Sequence, residues 1–403
     1  MHCLVIVIQR SSPSVRKAIP LNHESSTRPS AHPLRVVIAG GGTGGHISPA
    51  VAVAEELRRR MDMELHWIGS QSGFEGEAAS AQNIPFHTIR TGKLRRYVAA
   101  ATIKDAIRIP IGIWEAGTLL RRIKPNVIFS TGGFVSVPTV IAGRFSGIPC
   151  LTHEQTASLG LATRINARFC DVVALSFPGQ GKIFTRKGAK VLVTGNPIRP
   201  SISQGERKML LALFDIPPEL PLLYVTGGAQ GARALNDTVA EALPELLQHA
   251  AIIHQCGPQS GNGDHARLVQ LRDKLNPDER VRYHPVERVS GELAHIYASA
   301  TLVIGRAGAG TVAELAALGV PSVLVPLPGA DEQRKNARVL ADVGASIVIP
   351  QGELTSSLLV ETVQSLISSP ERLQKMRTAA LSVAPKDPAN RLCDAIVALA
   401  TQD

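Results

Sequence analysis

Short apolar runs alternate with helical patterns along the chain from Leu34 onward. The runs are rich in β-branched residues and are bounded by glycine, proline or polar residues, as buried strands are. Strands that alternate with helices form parallel sheets built from right-handed crossover units. The predicted strands are Leu34–Ala39, Glu64–Gly69, Pro85–Ile89, Asn126–Ser130, Cys150–His153, Asp171–Leu175 and Val191–Val193 in a first series, then Leu222–Thr226, Ala251–His254, Val281–His284, Leu302–Gly305, Ser322–Pro326 and Ser346–Pro350 in a second.

The pattern also predicts how these elements are grouped. The proline-rich stretch Gly195–Pro218 separates the two series and is the predicted irregular linker. We therefore expect an α/β fold with two doubly wound Rossmann-like domains that face a central cleft, where ligands bind at the carboxyl ends of the strands. Predicted helices include Pro49–Arg60, with a proline in its first turn, Ala232–Gln248, Thr311–Leu318 and Asp331–Val343.

The predicted domain bounds are 34–199 and 200–385, followed by a C-terminal helix within 386–403 that packs back towards the first domain. Residues 1–33 carry four basic residues and one acid among many serines and prolines. We interpret them as a disordered extension, with a transit peptide as the alternative.

Composition narrows the classes of protein. The 403 residues are 44% hydrophobic and 19% charged, which is typical of a globular chain and excludes a disordered one. No apolar run reaches the roughly 18 residues of a membrane span. The five cysteines lie far apart and form no C-x-x-C pair, which argues against a zinc site or a disulfide framework. The net charge of +10 favours an acidic partner.

Three glycine turns follow predicted strands and are the candidate phosphate sites. They are Gly40–Gly45 before His46, Gly132–Ser136 and Gly227–Ala232. Glycine lets backbone amides approach a ligand closely, and a helix N-terminus favours anions. A dinucleotide site is disfavoured because the second predicted strand ends without the acid that would hold a ribose. The chain also lacks D-x-D and P-loop patterns, which disfavours metal-dependent phosphate chemistry.

His46 closes the first glycine turn and leaves two interpretations open. It could cap or pack the first helical turn. Alternatively, its imidazole could point into the cleft, where a histidine exchanges protons near neutral pH.

An ordered set of motifs resembles a known family. The motifs are GGGTGGHISPA (Gly40–Ala50), GGFVSVP (Gly132–Pro138), HEQT (His153–Thr156), GNPIR (Gly195–Arg199), GGAQGAR (Gly227–Arg233), RAGAGTVAE (Arg306–Glu314) and DEQRKNA (Asp331–Ala337). Together they resemble the MurG family of bacterial transferases. The resemblance implies the GT-B fold, UDP-N-acetylglucosamine as donor, lipid I as acceptor, and an inverting, metal-independent reaction without a cofactor.

The resemblance also implies roles for individual residues. Glu314 would bind the ribose hydroxyls, Gly227–Gly231 the donor phosphates, Gln333 the sugar and Arg199 the nucleotide, while Thr43 and His46 would reach the site from the other domain. We predict that His46 is the general base or a residue that orients the base. The full donor set is Thr43, Gly44, Gly45, Thr156, Arg199, Ala229, Gln230, Gly231, Ala309, Gly310, Thr311, Glu314 and Gln333. The candidates for the acceptor diphosphate are Gly41, Gly42, Gly132, Gly133 and Ser136.

Three positions depart from the family pattern. Thr156 stands where asparagine is usual, Ala229 where serine is frequent, and Glu332 where histidine or arginine is common. Without the resemblance, Glu314, Gln333 and Asn336 could be solvated polar residues and Arg199 could cap a linker turn. The alternative functions are a GT-B transferase with another lipid acceptor and a non-catalytic scaffold that binds nucleotide sugar.

The segment Lys93–Lys124 carries eight basic residues and two acids among isoleucines and Trp114. We expect Pro110 and Gly112 to divide it into two helices. It is either a core-packed pair with a solvated basic face or a patch that binds anionic lipid. Nucleic acid is disfavoured because aromatic residues do not interleave with the basic ones. The resemblance implies peripheral binding at the cytoplasmic face of the plasma membrane, with other cell-envelope synthesis proteins as further candidate partners.

Overall fold

The computed structural model describes residues 33–71, 73–92, 100–178 and 185–402, with the side chains of 100–107 and 262 left out. The predicted N-terminal extension therefore lies outside the described residues except for Pro33, as does the start of the basic segment, 93–99. The strands are β1 (Leu34–Gly40), β2 (Met63–Ser70), β3 (Phe86–Ile89), β4 (Val127–Gly132), β5 (Cys150–Glu154), β6 (Val172–Leu175), β7 (Lys190–Val193), β8 (Leu222–Thr226), β9 (Ala251–Gln255), β10 (Tyr283–Val286), β11 (Leu302–Gly305), β12 (Ser322–Leu324) and β13 (Ser346–Val348).

Helices connect the strands throughout the described ranges. They are α1 (Gly44–Arg60), α2 (Glu75–Ala81), α3 (Ala100–Ile123), α4 (Ser136–Phe145), α5 (Leu161–Asn166), α6 (Arg207–Phe214), α7 (Arg233–Leu246), α8 (Gln259–Asn262), α9 (Asp264–Asp273), α10 (Pro277–Arg280), α11 (Leu293–Ser299), α12 (Ala309–Leu318), α13 (Asp331–Ala341), α14 (Ser356–Ile367), α15 (Pro370–Ser382) and α16 (Pro388–Ala400). Short 3-10 turns occur at Pro200–Gln204 and Gln351–Glu353.

Two parallel sheets organise the part of the chain that the structure describes. The first has the strand order β3-β2-β1-β4-β5-β6-β7 and the second has β10-β9-β8-β11-β12-β13. The order reverses at β1/β4 and at β8/β11, so each sheet has a crevice at the carboxyl ends of those strands. This confirms the predicted α/β class with two doubly wound, Rossmann-like sheets.

Apolar residues on both faces of the strands explain why helices pack on both sides of the sheet. Val36, Val37, Ile38 and Ala39 are all fully buried, two on each face of β1. The last helix, α16, packs against α1 and the first sheet through Leu392, Cys393, Ile396 and Leu399. The end of the chain therefore contributes to the core of the first sheet.

Two predictions about helices, one start and one break, are wrong. The first helix begins at Gly44, so Pro49 lies inside α1 instead of in its first turn. Pro110 and Gly112 do not divide the basic segment, because α3 runs unbroken from Ala100 to Ile123. Burial of Ala116, Leu120 and Ile123 offsets the hydrogen bond that Pro110 removes. A Cβ at Gly112 would overlap the carbonyl oxygen of Arg90, so this glycine allows close packing and is not a break.

The predicted linker is also more regular than expected. Pro200 starts a 3-10 turn, in the first-turn position that proline favours. Helix α6 follows, and its Leu210 is fully buried in the second sheet's core beside Ile202. Strand β10 forms at Tyr283–Val286, two residues later than predicted. Val281, the predicted first residue of this strand, is instead the exposed C-cap of helix α10. No helix within the described ranges is both long and apolar enough to cross a bilayer.

Candidate active site

The first glycine turn joins β1 to α1 and places His46 at the carboxyl edge of the first sheet. Thr43 is the N-cap of α1, in an extended conformation and exposed. Gly44, Gly45 and His46 form the first turn of the helix. The backbone takes positive φ at Gly42, which favours glycine there.

The hydrogen bonds of His46 define its tautomer. Its Nδ1 lies 2.8 Å from the carbonyl oxygen of Thr131 at the end of β4. A carbonyl oxygen can only accept, so Nδ1 carries the hydrogen and Nε2 holds the lone pair. The side-chain amide of Gln155 contacts the same Nδ1. The Gln155 oxygen is buried and has no hydrogen-bond partner among the described residues. If the side-chain amide is flipped by 180°, this oxygen accepts the hydrogen of His46 Nδ1.

Burial lowers the pKa of His46 below its usual 6.5, although the hydrogen bond to Thr131 and the charges of Glu154 and Glu332 oppose the shift. The imidazole is therefore neutral at pH 7. A neutral histidine with a free Nε2 lone pair is chemically able to accept a proton.

His46 faces a cavity of about 310 Å³ that residues of both sheets line. Helix α13 of the second half contributes Glu332. Glu154 also lines the cavity and is almost fully buried. Its carboxylate accepts hydrogen bonds from the Thr156 hydroxyl at 2.8 Å and from the Gly160 amide at 2.9 Å. The cavity thus combines one neutral imidazole with two carboxylic side chains. Its lining residues are His46, Gly133, Phe134, Glu154, Thr156, Ser158, Leu159, Gly160, Leu161, Ala162, Thr163 and Glu332.

The second glycine turn packs against the imidazole. A Cβ at Gly133 would come within 3.2 Å of the His46 ring, and one at Gly132 within 3.5 Å. Ser136 instead is fully buried: its hydroxyl donates to the Gly133 carbonyl at 2.9 Å and accepts from the Asn166 amide at 2.9 Å. The structure therefore places Ser136 in an internal network that holds the turn.

The third glycine turn occupies the equivalent place on the second sheet, between β8 and α7. The Gly228 amide donates to the Thr226 hydroxyl at 3.1 Å, and the Gly228 carbonyl accepts from the Gly231 amide at 3.0 Å. Ala229 and Gln230 at its tip are exposed. The turn lies directly before the start of α7, and a helix N-terminus is favourable for an anion.

Glu314 lies on α12 and is only 8% exposed, so its interpretation as a solvated acid is wrong. Its Oε2 accepts a 2.9 Å hydrogen bond from the hydroxyl of the buried Tyr297. Burial raises the pKa of Glu314, while the Tyr297 bond and the charge of Arg199 lower it. Arg199 is thus close enough to act on Glu314, and it also stands at the N-cap of a 3-10 turn.

The start of α12 is tied to both halves of the chain. It carries Ala309, Gly310 and Thr311, and the Ala309 carbonyl accepts from the Asn196 amide at 3.2 Å. Asn336 on α13 is 1% exposed and not solvated: its oxygen accepts from the Ala157 amide at 2.8 Å, and its nitrogen donates to the Ala307 carbonyl at 3.2 Å.

Gln333 is half-buried on α13, and its Oε1 accepts from the Leu327 amide at 3.0 Å. This hydrogen bond orients the side chain and does not involve its NH₂ group.

Sequence reasoning missed Glu75, Glu154, Gln155 and Tyr297 as contributors to these sites. Glu154 and Gln155 stand inside the HEQT motif and could have been singled out there. Tyr297 and Glu75 gave no local signal, since Glu314, the partner of Tyr297, lies 17 residues away and Gly42, which joins Glu75 to the first glycine turn, lies 33 residues away.

Comparisons with known proteins match both halves. The N-terminal and C-terminal domain models of glycosyltransferase family 28 match residues 36–175 and 222–392. A Clostridium kluyveri protein is 36% identical over 366 residues, covering 90% of this chain and 98% of its own. The chain belongs to glycosyltransferase family 28. That relative is named UDP-N-acetylglucosamine–N-acetylmuramyl-(pentapeptide) pyrophosphoryl-undecaprenol N-acetylglucosamine transferase.

Other relatives agree with this family assignment. A Nocardioides protein with the same name is 37% identical over 91% of this chain and 98% of its own. The crystal structure of Acinetobacter baumannii MurG matches with a TM-score of 0.69 and 27% identity, over 91% of this chain and all of that one. A Neisseria meningitidis UDP-GlcNAc 2-epimerase bound to UDP-GlcNAc shares the fold alone, at 14% identity and a TM-score of 0.61. The family 28 chain is thus a glycosyltransferase of the GT-B fold.

Proposed function

We propose that this family 28 enzyme transfers N-acetylglucosamine from UDP-N-acetylglucosamine to the C4 hydroxyl of lipid I, forming lipid II in peptidoglycan synthesis. The observation that carries the proposal is similarity along the whole chain to transferases with that name. A cavity between the two halves, with a neutral histidine directed into it, supports the same chemistry.

The two halves have separate tasks in this proposal. Residues 34–199 bind the acceptor and face the membrane, and residues 200–385 bind the UDP-sugar. The residues of the second half assigned to the donor precede α7 or lie in α12 and α13. Arg199 stands at the 3-10 turn before α6. In addition, Thr43, Gly44, Gly45 and Thr156 approach from the first sheet.

In the proposed reaction His46 is the general base. Its Nε2 takes the proton from the acceptor C4 hydroxyl while that oxygen attacks C1 of the donor sugar. The C1–O bond to UDP breaks on the opposite face, so the configuration at C1 inverts and the electron pair leaves with the diphosphate. Backbone amides of Gly227–Gly231 and the guanidinium of Arg199 stabilise the charge that develops there. Within the described ranges no group of three or more His, Cys, Asp or Glu side chains could hold a metal ion.

We further propose that α3 contacts the cytoplasmic face of the plasma membrane. Trp114 is 69% exposed on this helix, and the neighbouring Arg121 and Arg122 are exposed as well. An exposed tryptophan beside basic residues suits the interface of an anionic bilayer. Arg108 and Lys124 are exposed as well, whereas Lys93, Arg95 and Arg96 lie outside the described residues and the side chain of Lys104 is left out. Other cell-envelope synthesis proteins are further proposed partners.

The test is direct. Purified protein is incubated with labelled UDP-N-acetylglucosamine and a lipid I analogue, and in parallel with a diacylglycerol and a polyprenol. We expect label only in the lipid I product. Transfer to another lipid alone would establish a different acceptor, and donor binding without transfer to any of them would establish a non-catalytic scaffold.

A further inference from the structure

A buried carboxylate lies inside the first glycine turn. Glu75, the first residue of α2, is 0% exposed. Its Oε2 accepts from the Gly42 amide at 3.1 Å. Its Oε1 accepts from Ser70 at the end of β2, at 2.8 Å from the backbone amide and 2.6 Å from the hydroxyl. These three donors are all uncharged, and bonds to an ionised acceptor are about twice as strong as neutral ones.

The backbone closes around this carboxylate. A Cβ at Gly41 or at Gly73 would overlap the carboxylate of Glu75, so the two glycines let the backbone approach it closely. In a phosphate-binding turn, amides after the first strand point at a bound anion. Here an amide of that turn points at an anion supplied by the chain itself.

The turn leads directly to the residues of the cavity. Gly42 precedes Thr43, whose carbonyl accepts from the His46 amide at 3.1 Å. The position of Gly42 therefore affects the position of the His46 imidazole relative to the Thr131 carbonyl.

We propose that Glu75 is a built-in anion of the first glycine turn and thereby positions His46. Its carboxylate occupies a cup formed by Gly41, Gly42, Ser70 and Gly73. Two consequences follow. The Gly42 amide is engaged within the protein, so the acceptor diphosphate must bind other donors. Glu75 is a positioning residue, because it acts on the reaction only through the turn. The effect on catalysis rests on the proposed function.

Chemical rescue tests the proposal. Glu75→Ala removes one CH₂ and the carboxylate, which are together the size of acetate. We expect Glu75→Ala to lower kcat roughly 10- to 100-fold, as misplacement of a reacting group does. Donor Kd should stay within about threefold, because the donor site lies on the second sheet. Acetate should restore kcat at least severalfold in a saturable manner, and chloride at equal ionic strength should not.

Glu77→Ala is the matched control, since Glu77 lies exposed on the same helix. It should keep wild-type kcat and show no response to acetate. Glu75→Gln fills the cup but replaces one acceptor oxygen with a donor that faces backbone amides. It should therefore lose activity without acetate rescue, and it serves if Glu75→Ala does not fold.

A readout independent of turnover separates this inference from the proposed function. Acetate, compared with chloride, should raise the Tm of Glu75→Ala and leave that of wild type unchanged. If wild type does not use lipid I, the proposed function fails while the Tm result still decides whether the cup binds an anion. Wild-type kcat in Glu75→Gln, or a Glu75→Ala variant whose Tm and kcat both ignore acetate, would overturn the inference.

Discussion

Replacement of Glu314 should weaken donor binding through the ribose. The hydrogen bonds in the described structure engage only Oε2 of its carboxylate, with Tyr297, which leaves Oε1 for a ribose hydroxyl. Glu314→Gln keeps the shape and an acceptor for Tyr297, and Glu314→Ala removes both.

The magnitude follows from the type of bond. A hydrogen bond to a charged acceptor contributes about 1.5–3 kcal/mol, which corresponds to roughly 10- to 150-fold in Kd. Tyr297→Phe keeps the carboxylate and removes only a donor that orients it. We therefore expect a smaller change for Tyr297→Phe, about threefold to tenfold.

Calorimetry with UDP and its 2′- and 3′-deoxy analogues is the assay. Wild type should bind one deoxy analogue at least tenfold more weakly than UDP. Glu314→Ala should bind UDP weakly and no longer distinguish UDP from that analogue, since residue and hydroxyl form one interaction. If Glu314→Ala discriminates against the deoxy analogues as strongly as wild type does, Glu314 does not contact the ribose.

Four further outcomes are expected. His46→Ala should lower kcat by about 10²–10⁴-fold with donor Kd nearly unchanged; a kcat within threefold of wild type would make His46 structural. Turnover should survive EDTA, and loss of activity that magnesium restores would contradict the proposed charge stabilisation. Burial lowers the pKa of His153 to about 4 and that of His254 to about 3, so between these values and 6.5 the unfolded chain binds more protons. The free energy of unfolding should therefore fall as pH drops through 6.5, by up to about 1.4 kcal/mol per pH unit for each histidine, and a level profile in urea titrations would refute this. Sedimentation of the protein with anionic vesicles should weaken as salt rises. It should also weaken in a variant in which serine replaces Arg95, Arg96, Arg121 and Arg122, while that variant keeps its turnover of a short-chain acceptor. Unchanged sedimentation of the variant would place the membrane contact elsewhere.

The strands could be predicted because burial on both faces leaves a continuous apolar run, as in β1 and β8. Helix starts were harder to locate. Glycines disfavour helix interiors, so Gly44 and Gly45 indicated a loop although they form the first turn of α1. The continuity of α3 depends on packing against α4 and β3, which no local pattern around Pro110 reveals.

The candidate site divides in the same way. The glycine turns and His46 stand next to strand ends, so local sequence locates them. Glu75 reaches this site through Gly42, 33 residues away, Gln155 through His46, 109 residues away, and Tyr297 through Glu314, 17 residues away. Which polar residue meets which turn is set by the order of strands in the sheet.

The same reasoning explains why the first and third glycine turns differ in use despite similar composition. The third turn exposes Ala229 and Gln230 at its tip. Its Gly228 amide donates to the Thr226 hydroxyl and its Gly228 carbonyl accepts from the Gln255 amide, and both side chains are uncharged. Its dipoles therefore remain available to an external diphosphate. The first turn already surrounds the carboxylate of Glu75, and a second anion there would meet like charge in a buried setting. Charge complementarity thus supports the proposals that the third turn binds the leaving diphosphate and that the first turn holds His46 in place.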